Sequence, residues 1–176
     1  MISIVIPTLG KFDISILKYS LNQALKSAII SNIIIIDNSN EGNVQDKISI
    51  LDDRLLYIKT YRNIYVNPAW NLGVSHCKSD FILLMNDDVY CDTIIYNIVC
   101  DYMLNNVGLC TVNSFDCLSL SEYQDKKHIK MPDENNNICG RKRGHFFCIK
   151  KSLWKDIPSG LDFFMVMISY LKPLEI

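Results

Sequence analysis

Short apolar runs punctuate the first half of the chain, and each gives way to polar or turn-forming residues. Ile2-Ser3-Ile4-Val5-Ile6 stops at Pro7-Thr8, and Ile33-Ile34-Ile35-Ile36 stops at Asp37-Asn38-Ser39-Asn40. Leu55-Leu56-Tyr57-Ile58 forms a third run, and Phe81-Ile82-Leu83-Leu84-Met85 leads straight into Asn86-Asp87-Asp88-Val89. Runs this short and this rich in β-branched residues read as strands covered on both faces. Helical spacing fills the gaps between them. Ile14, Leu17, Leu21, Leu25 and Ala28 recur at steps of 3, 4, 4 and 3, the apolar face of an amphipathic helix. Val44, Ile48 and Leu51 mark a short second helix. Asn67-Pro68 predicts the start of a third, with Asn as N-cap and Pro at the first helical position. A fourth starts near Asp92, with Ile95, Val99 and Tyr102 on one side. Gly108 to Val112 and Gly144 to Lys150 return to strand character, and a helical turn follows at Ser152-Leu153-Trp154. The polar stretch 114–138 reads as a long loop.

Strand and helix alternate through residue 112, which predicts βαβ units and a mainly parallel sheet. The expected fold is α/β, a three-layer sandwich around a Rossmann-like sheet. Right-handed crossovers bring all the strand carboxyl ends to one side, where ligands of such sheets bind. Thr8, Asp37 and Asp88 end three of the strands, so the pattern predicts that they converge.

Composition narrows the class. The chain has 176 residues, enough for one domain with a real core, and is 49% hydrophobic and 21% charged. Its net charge of −1, from 18 basic and 19 acidic residues, argues against nucleic acid or an anionic membrane as the main partner. The seven cysteines show no zinc-like spacing and fit reduced thiols, several packed as small apolar residues. The amino terminus enters a strand without a signal-peptide pattern, and the apolar stretch from Leu161 to Leu171 is too short to span a bilayer. The expectation is a soluble, cytoplasmic protein without a transmembrane segment.

The candidate chemistry lies at the strand ends. Asp87 and Asp88 are adjacent carboxylates that repel each other unless a cation or hydrogen-bond donors compensate, and a hard divalent metal on phosphate oxygens is one such use. An ordinary acidic turn is the alternative. Thr8 can offer its hydroxyl to a base or ribose, or simply form a turn. Asp37 can accept from a nucleobase N–H or cap its own turn. Asn71 can bond a ligand or tie loops together, while Trp70 reads as a core anchor. Arg141-Lys142-Arg143 can neutralise a diphosphate or form a solvated face, and His145 can face a metal or an acceptor. Neither Gly-x-Gly-x-x-Gly nor a P-loop is present.

Five pieces together resemble the family 2 glycosyltransferases of the GT-A fold. They are Ile2 to Thr8, Ile36-Asp37-Asn38-Ser39, Asn71-Leu72-Gly73, Leu84-Met85-Asn86-Asp87-Asp88-Val89, and Gly144 to Ser152, in order across residues 1–157. The resemblance implies a nucleotide-diphosphate-sugar donor bound across the strand ends. It places Pro7, Thr8, Asp37, Asn71 and Asp87 on the donor, with Asp37 at the base. Asp88 falls at the metal-binding carboxylate of the family's Asp-x-Asp region, whose first position here is Asn86. The implied cofactor is Mn²⁺ or Mg²⁺, and His145 falls on the acceptor side.

The pattern departs from the family near its end. Where members carry an acidic pair that deprotonates the acceptor hydroxyl, the chain reads Pro158 to Ile168 with Asp162 as the one carboxylate. Asp162 is therefore the candidate base. The expectation is a single GT-A-like domain over 1–176, with a donor-binding half at 1–113 and a shortened or divergent acceptor half at 114–176. The acceptor (glycan, protein or lipid-linked) and a homodimer are left open. Two other readings stand beside transfer: a weak or inactive nucleotide-sugar-binding protein, and a nucleotidyltransferase. The last usually has a Gly- and Arg-rich loop after its first strand, where this chain has Leu9-Gly10-Lys11.

Overall fold

The computed structural model describes residues 1–11, 14–105, 107–111, 121 and 145–161. Among these residues six strands run in chain order as β1 (Ile2–Thr8), β2 (Ile30–Asp37), β3 (Leu55–Lys59), β4 (Phe81–Met85), β5 (Leu109–Thr111) and β6 (Phe146–Lys150). Four helices separate the first five: α1 (Ile14–Leu25), α2 (Val44–Ile48), α3 (Val66–Ser75) and α4 (Thr93–Leu104). The strands form one sheet in the order β3-β2-β1-β4-β6-β5. β1 pairs in parallel with both β2 and β4, and β2 with β3, while β6 is antiparallel to both of its neighbours. The fold is thus the expected α/β GT-A-like sandwich. β6 comes from late in the chain yet lies inside the sheet, between β4 and β5, so both parts of the chain build one core.

Alternation along each strand sorts the core into two layers. Ile2, Ile4, Ile6, Ile33, Ile35, Leu83 and Met85 pack against Leu17, Leu21 and Ala24 of α1, Val44 and Ile48 of α2, and Tyr96, Val99 and Met103 of α4. The intervening residues Val5, Ile34, Ile36, Ile82, Leu84, Phe147 and Ile149 face Ala69, Trp70 and Val74 of α3. Trp70 is the core anchor its composition suggested, edge-on to Phe147 with ring centroids 5.5 Å apart. Cys148 is buried within β6 and faces the partly buried Cys110 across the strand pair.

Gly73 lets α3 lie close to β1. A Cβ at this position would stand 2.2 Å from Cγ1 of the buried Val5, so the helix or the strand would have to move. Gly73→Ala is expected to destabilise the fold by about 1–3 kcal/mol, as overpacking does. A thermal melt should show Tm falling by roughly 3–10 °C; an unchanged melt would mean that Val5 repacks freely.

Three local expectations shift. The third helix starts at Val66, with Tyr65 rather than Asn67 at its N-cap. Pro68 still falls within the first turn, where its missing N–H removes no helical bond. Leu51 lies beyond α2 and is 95% exposed, because Ser49 ends the helix with φ 55°. Strand β1 continues through Pro7 to Thr8, in register with β2 to the end, whereas its pairing with β4 stops at Val5. Ile2 N and Thr8 O both bond towards β2, so the alternating Pro7 turns its nitrogen to the β4 side, past the last paired residue. Pro7 therefore breaks no ladder bond and sits where β1 and β4 part.

At the opposite end of the sheet, the buried Ser3 hydroxyl donates to Asn32 Oδ1 at 2.6 Å and accepts from Lys78 N and Ser79 N. That polar network holds the turn before β4 and is far from the strand carboxyl ends.

Candidate functional site

The chain runs outward from β1 to β2 and β3, then returns to the other side of β1 for β4. The strand order therefore reverses between β1 and β4, the place where open α/β sheets bind ligands. Thr8 stands on one side of this crevice and Asp87 on the other. The Thr8 hydroxyl donates to Asp87 Oδ2 at 2.5 Å and accepts from Gly10 N at 3.0 Å. Gly10 takes φ +62°, and a Cβ there would stand 2.8 Å from Cγ2 of Val44, so this turn needs glycine.

The segment after β4 is held from several sides. Asn86 N donates to His145 O at 2.9 Å, and its amide Nδ2 meets the His145 ring Nδ1 at 3.0 Å. Ser20 of α1 donates to Val89 O and accepts from Cys91 N. Tyr19 donates to Asp92 and packs edge-on against Tyr90, centroids 5.7 Å apart. Asp92 does sit at the N-cap of α4, but its side chain bonds no helix N–H. Amid these ties Asp88 is exposed at the tip of the turn. Burial raises the Asp87 carboxyl above the usual range; the Thr8 hydroxyl opposes this and the Asp88 charge adds to it. A cation at this point would relieve the repulsion. Among the described residues no three His, Cys, Asp or Glu side chains gather into a metal cage.

Asp37 ends β2 in a different state. It is 2% exposed, and its carboxylate accepts four bonds. Ser39 N and Ser39 Oγ reach Oδ1 at 2.9 and 2.5 Å, and Val44 N and Lys59 Nζ reach Oδ2 at 3.0 and 3.2 Å. Burial pushes its pKa up, but the Ser39, Val44 and Lys59 donors outweigh burial and hold it below the usual value. A carboxylate offers about four lone-pair sites, so a nucleobase N–H reaching Asp37 must displace one of these donors. Lys59 also bonds Ser39 O, Ser39 Oγ and Gly42 O, at 2.8, 2.6 and 2.9 Å. The ammonium thus gathers the turn after β2 around the buried charge. The sequence reading missed Lys59, although Asp37 and Lys59 end adjacent parallel strands as register partners.

Of the two kinds of contact expected for Asn71, a ligand or a loop, the structure shows the loop. Asn71 lies mid-helix on α3, where Nδ2 donates to Ile157 O at 2.9 Å and Oδ1 accepts from Ile157 N at 3.0 Å. One turn earlier, Asn67 Nδ2 donates to Leu161 O at 2.7 Å. The two asparagines share a helix face and hold the segment 157–161 along it, so Asn71 ties loops together. His145, beside Asn86, lies next to the carboxylate turn. Asp162, the basic run 141–143 and, apart from residue 121, the expected loop 114–138 lie outside the described residues.

A profile of the family described as "Glycosyl transferase family 2" matches residues 3–158. The chain belongs to that family. Among solved structures, this family 2 chain is similar to the crystal structure of S. aureus TarS 1-349, at TM-score 0.61 and 13% identity. That match covers 86% of this chain and 47% of TarS, so the chain spans about half the length of that neighbour. A second TarS structure, in complex with UDP-GlcNAc, matches at TM-score 0.53 and 14% identity, over 67% of this chain and 37% of that one. The 4-diphosphocytidyl-2C-methyl-D-erythritol synthase of Anaerococcus prevotii DSM 20548 matches at TM-score 0.59 and 12% identity, over 86% and 70%. At such identities these likenesses establish the fold alone. No curated protein matches the sequence. Among the described residues of this family 2 chain no helix is long and apolar enough to cross a membrane.

Proposed function

We propose that this family 2 chain transfers a sugar from a nucleotide-diphosphate donor to an acceptor hydroxyl. The observation that carries the reading is the crevice between β1 and β4, where Thr8 and Asp87 bridge the switch point and Asp88 stands exposed beside them. The β2 and β3 ends, with Asp37 and the turn it holds, form the nucleoside side. Pro7 and Thr8 border the crevice, and His145 stands on the acceptor side. Asp162 is the proposed base for the acceptor hydroxyl. Residues 1–113 would then bind the donor and 114–176 the acceptor.

Asp88 with Asp87 would hold Mn²⁺ or Mg²⁺. One exposed carboxylate beside a second with a raised pKa suits an ion held mainly by phosphate oxygens and water rather than by a protein cage. Such an ion supplies charge stabilisation on the departing diphosphate. The chain's own part is to fix the turn that presents Asp88, through Thr8, Ser20, Tyr19 and His145.

The test is a panel of UDP-, GDP- and dTDP-sugars with Mn²⁺, measuring binding and release of the nucleoside diphosphate. The TarS complex makes UDP-GlcNAc the first donor to try. Binding with turnover is expected. Tight binding without turnover would favour a nucleotide-sugar-binding protein, and no binding of any donor would sink both readings.

A further inference from the structure

Beyond β6 the chain crosses the outside of the α3 layer. β6 is antiparallel to β4, so it ends at the amino edge of the sheet. There Lys151 N donates to Asp80 O at 2.7 Å and its ammonium to Cys77 O at 2.8 Å. Helix α3 joins this edge to the other. Asn38, just past the carboxyl end of β2, donates to Tyr65 O at the helix start, and Asn32, near the start of β2, donates to His76 O at the helix end. Asn71 holds Ile157 midway along the helix. Asn67 holds Leu161 about 6 Å nearer the carboxyl edge. Residues 151–161 therefore climb from the amino edge to the edge that carries Thr8, Asp37 and the carboxylate turn.

The climb ends in a turn held at both ends. Leu161 N donates to Pro158 O at 3.4 Å, and Gly160 supplies a φ of +88° at the bend. Asn71 bonds both peptide groups of the residue before the turn, and Asn67 bonds its last carbonyl. Packing alone requires neither asparagine. Trp154, Ile157 and Leu161 already lie against Ala69, Trp70 and Val74, and leucine is the better helix former. Apolar contacts tolerate a slip along the helix, whereas an amide paired with one residue's N–H and C=O does not. Polar residues within an apolar seam fix register at a cost in stability.

We infer that Asn67 and Asn71 are positioning residues for sugar transfer, fixing the turn from which the chain enters the acceptor side; the inference rests on the transfer reading above. Asp162, the proposed base, is bonded directly to Leu161. A slip of the turn by one residue would shift its attachment point by roughly 3 Å. A misplacement of about 1 Å can already cost a reaction on the order of a hundredfold. The donor crevice is built by other bonds, Thr8 to Asp87 and Asn86 to His145, so donor affinity should not feel the slip.

The experiment compares wild type with Asn71→Leu, Asn67→Leu and the double variant. It measures affinity for UDP and GDP with Mn²⁺, release of nucleoside diphosphate from the panel of donor sugars, and hydrogen exchange of the Ile157 and Leu161 amides. Each variant should bind the nucleotides as wild type does and exchange these amides faster. Each should turn over donor on the order of a hundredfold more slowly. The double variant should lose little more than either single change, because both side chains hold one turn. Full turnover despite faster exchange would overturn the positioning role alone. So would a loss of nucleotide affinity as large as the loss of turnover, which would mean a loosened fold. If Asn71→Leu failed to fold, Asn67→Ser, which leaves both Asn71 bonds in place, would carry the same test. If wild type released nucleoside diphosphate from no donor, the transfer reading would fail and the positioning role with it.

Discussion

Asp37→Ala should be among the most damaging single changes in this chain, lowering stability by about 3–5 kcal/mol, as expected when one partner of a buried ion pair is removed. The carboxylate is the shared acceptor for Ser39, Val44 and Lys59. Its loss leaves Lys59, among the described residues, with two backbone carbonyls and the Ser39 hydroxyl as acceptors. Chemical denaturation should show the loss directly, and UDP binding should weaken with it as the turn after β2 loosens. The pH dependence supplies a second readout. Because Asp37 is held below the usual carboxylate range, its stabilisation is complete above the unfolded value of about 3.9 and drains away as pH falls through the lower folded value. The alanine variant should lack that part of the acid limb. Lys59→Met should show a smaller loss, with the remaining acid limb moved to higher pH. Equal stability of wild type and Asp37→Ala would mean that the four bonds do not hold the turn.

Asp88→Ala should have the opposite profile: little change in stability and loss of Mn²⁺-dependent donor binding. Asp88 is exposed and not among the groups that hold its own turn, and surface substitutions away from such features usually stay within about 0.5 kcal/mol. Ligand affinity should respond strongly, because the exposed carboxylate is the proposed contact for the cation. Calorimetry with UDP, with and without Mn²⁺, separates the two effects. A variant that kept the full metal dependence would place the cation elsewhere.

The two core layers were legible from the chain, because burial on both faces and a period of two leave little freedom in how isoleucines are shared out. The alternation of strand and helix led to Thr8, Asp37 and Asp88 being expected at one edge of the sheet, but not to the Thr8 hydroxyl bonding Asp87 rather than Asp88. Lys59 was not legible, since a four-carbon stem reaches several partners and spacing alone does not choose among them. Asn71 was ambiguous for a chemical reason: a primary amide serves a ligand and a peptide group equally well. Its partner Ile157 is distant in sequence, and no local pattern announces it. Tyr65 at the helix start ran against propensity, which favours glycine or a small polar residue where the backbone takes that turn.

The position of β6 also bears on how the protein is made. β4, which carries the carboxylate turn, finds its outer neighbour only when residues 146–150 arrive. Until then its edge offers unpaired N–H and C=O groups to any strand at hand. The Asn86–His145 pairing closes at the same late moment. A nascent chain emerging amino-terminus first would therefore expose this edge for much of its synthesis, and interruption before β6 would yield a sheet prone to mispairing, with its site still open on one side.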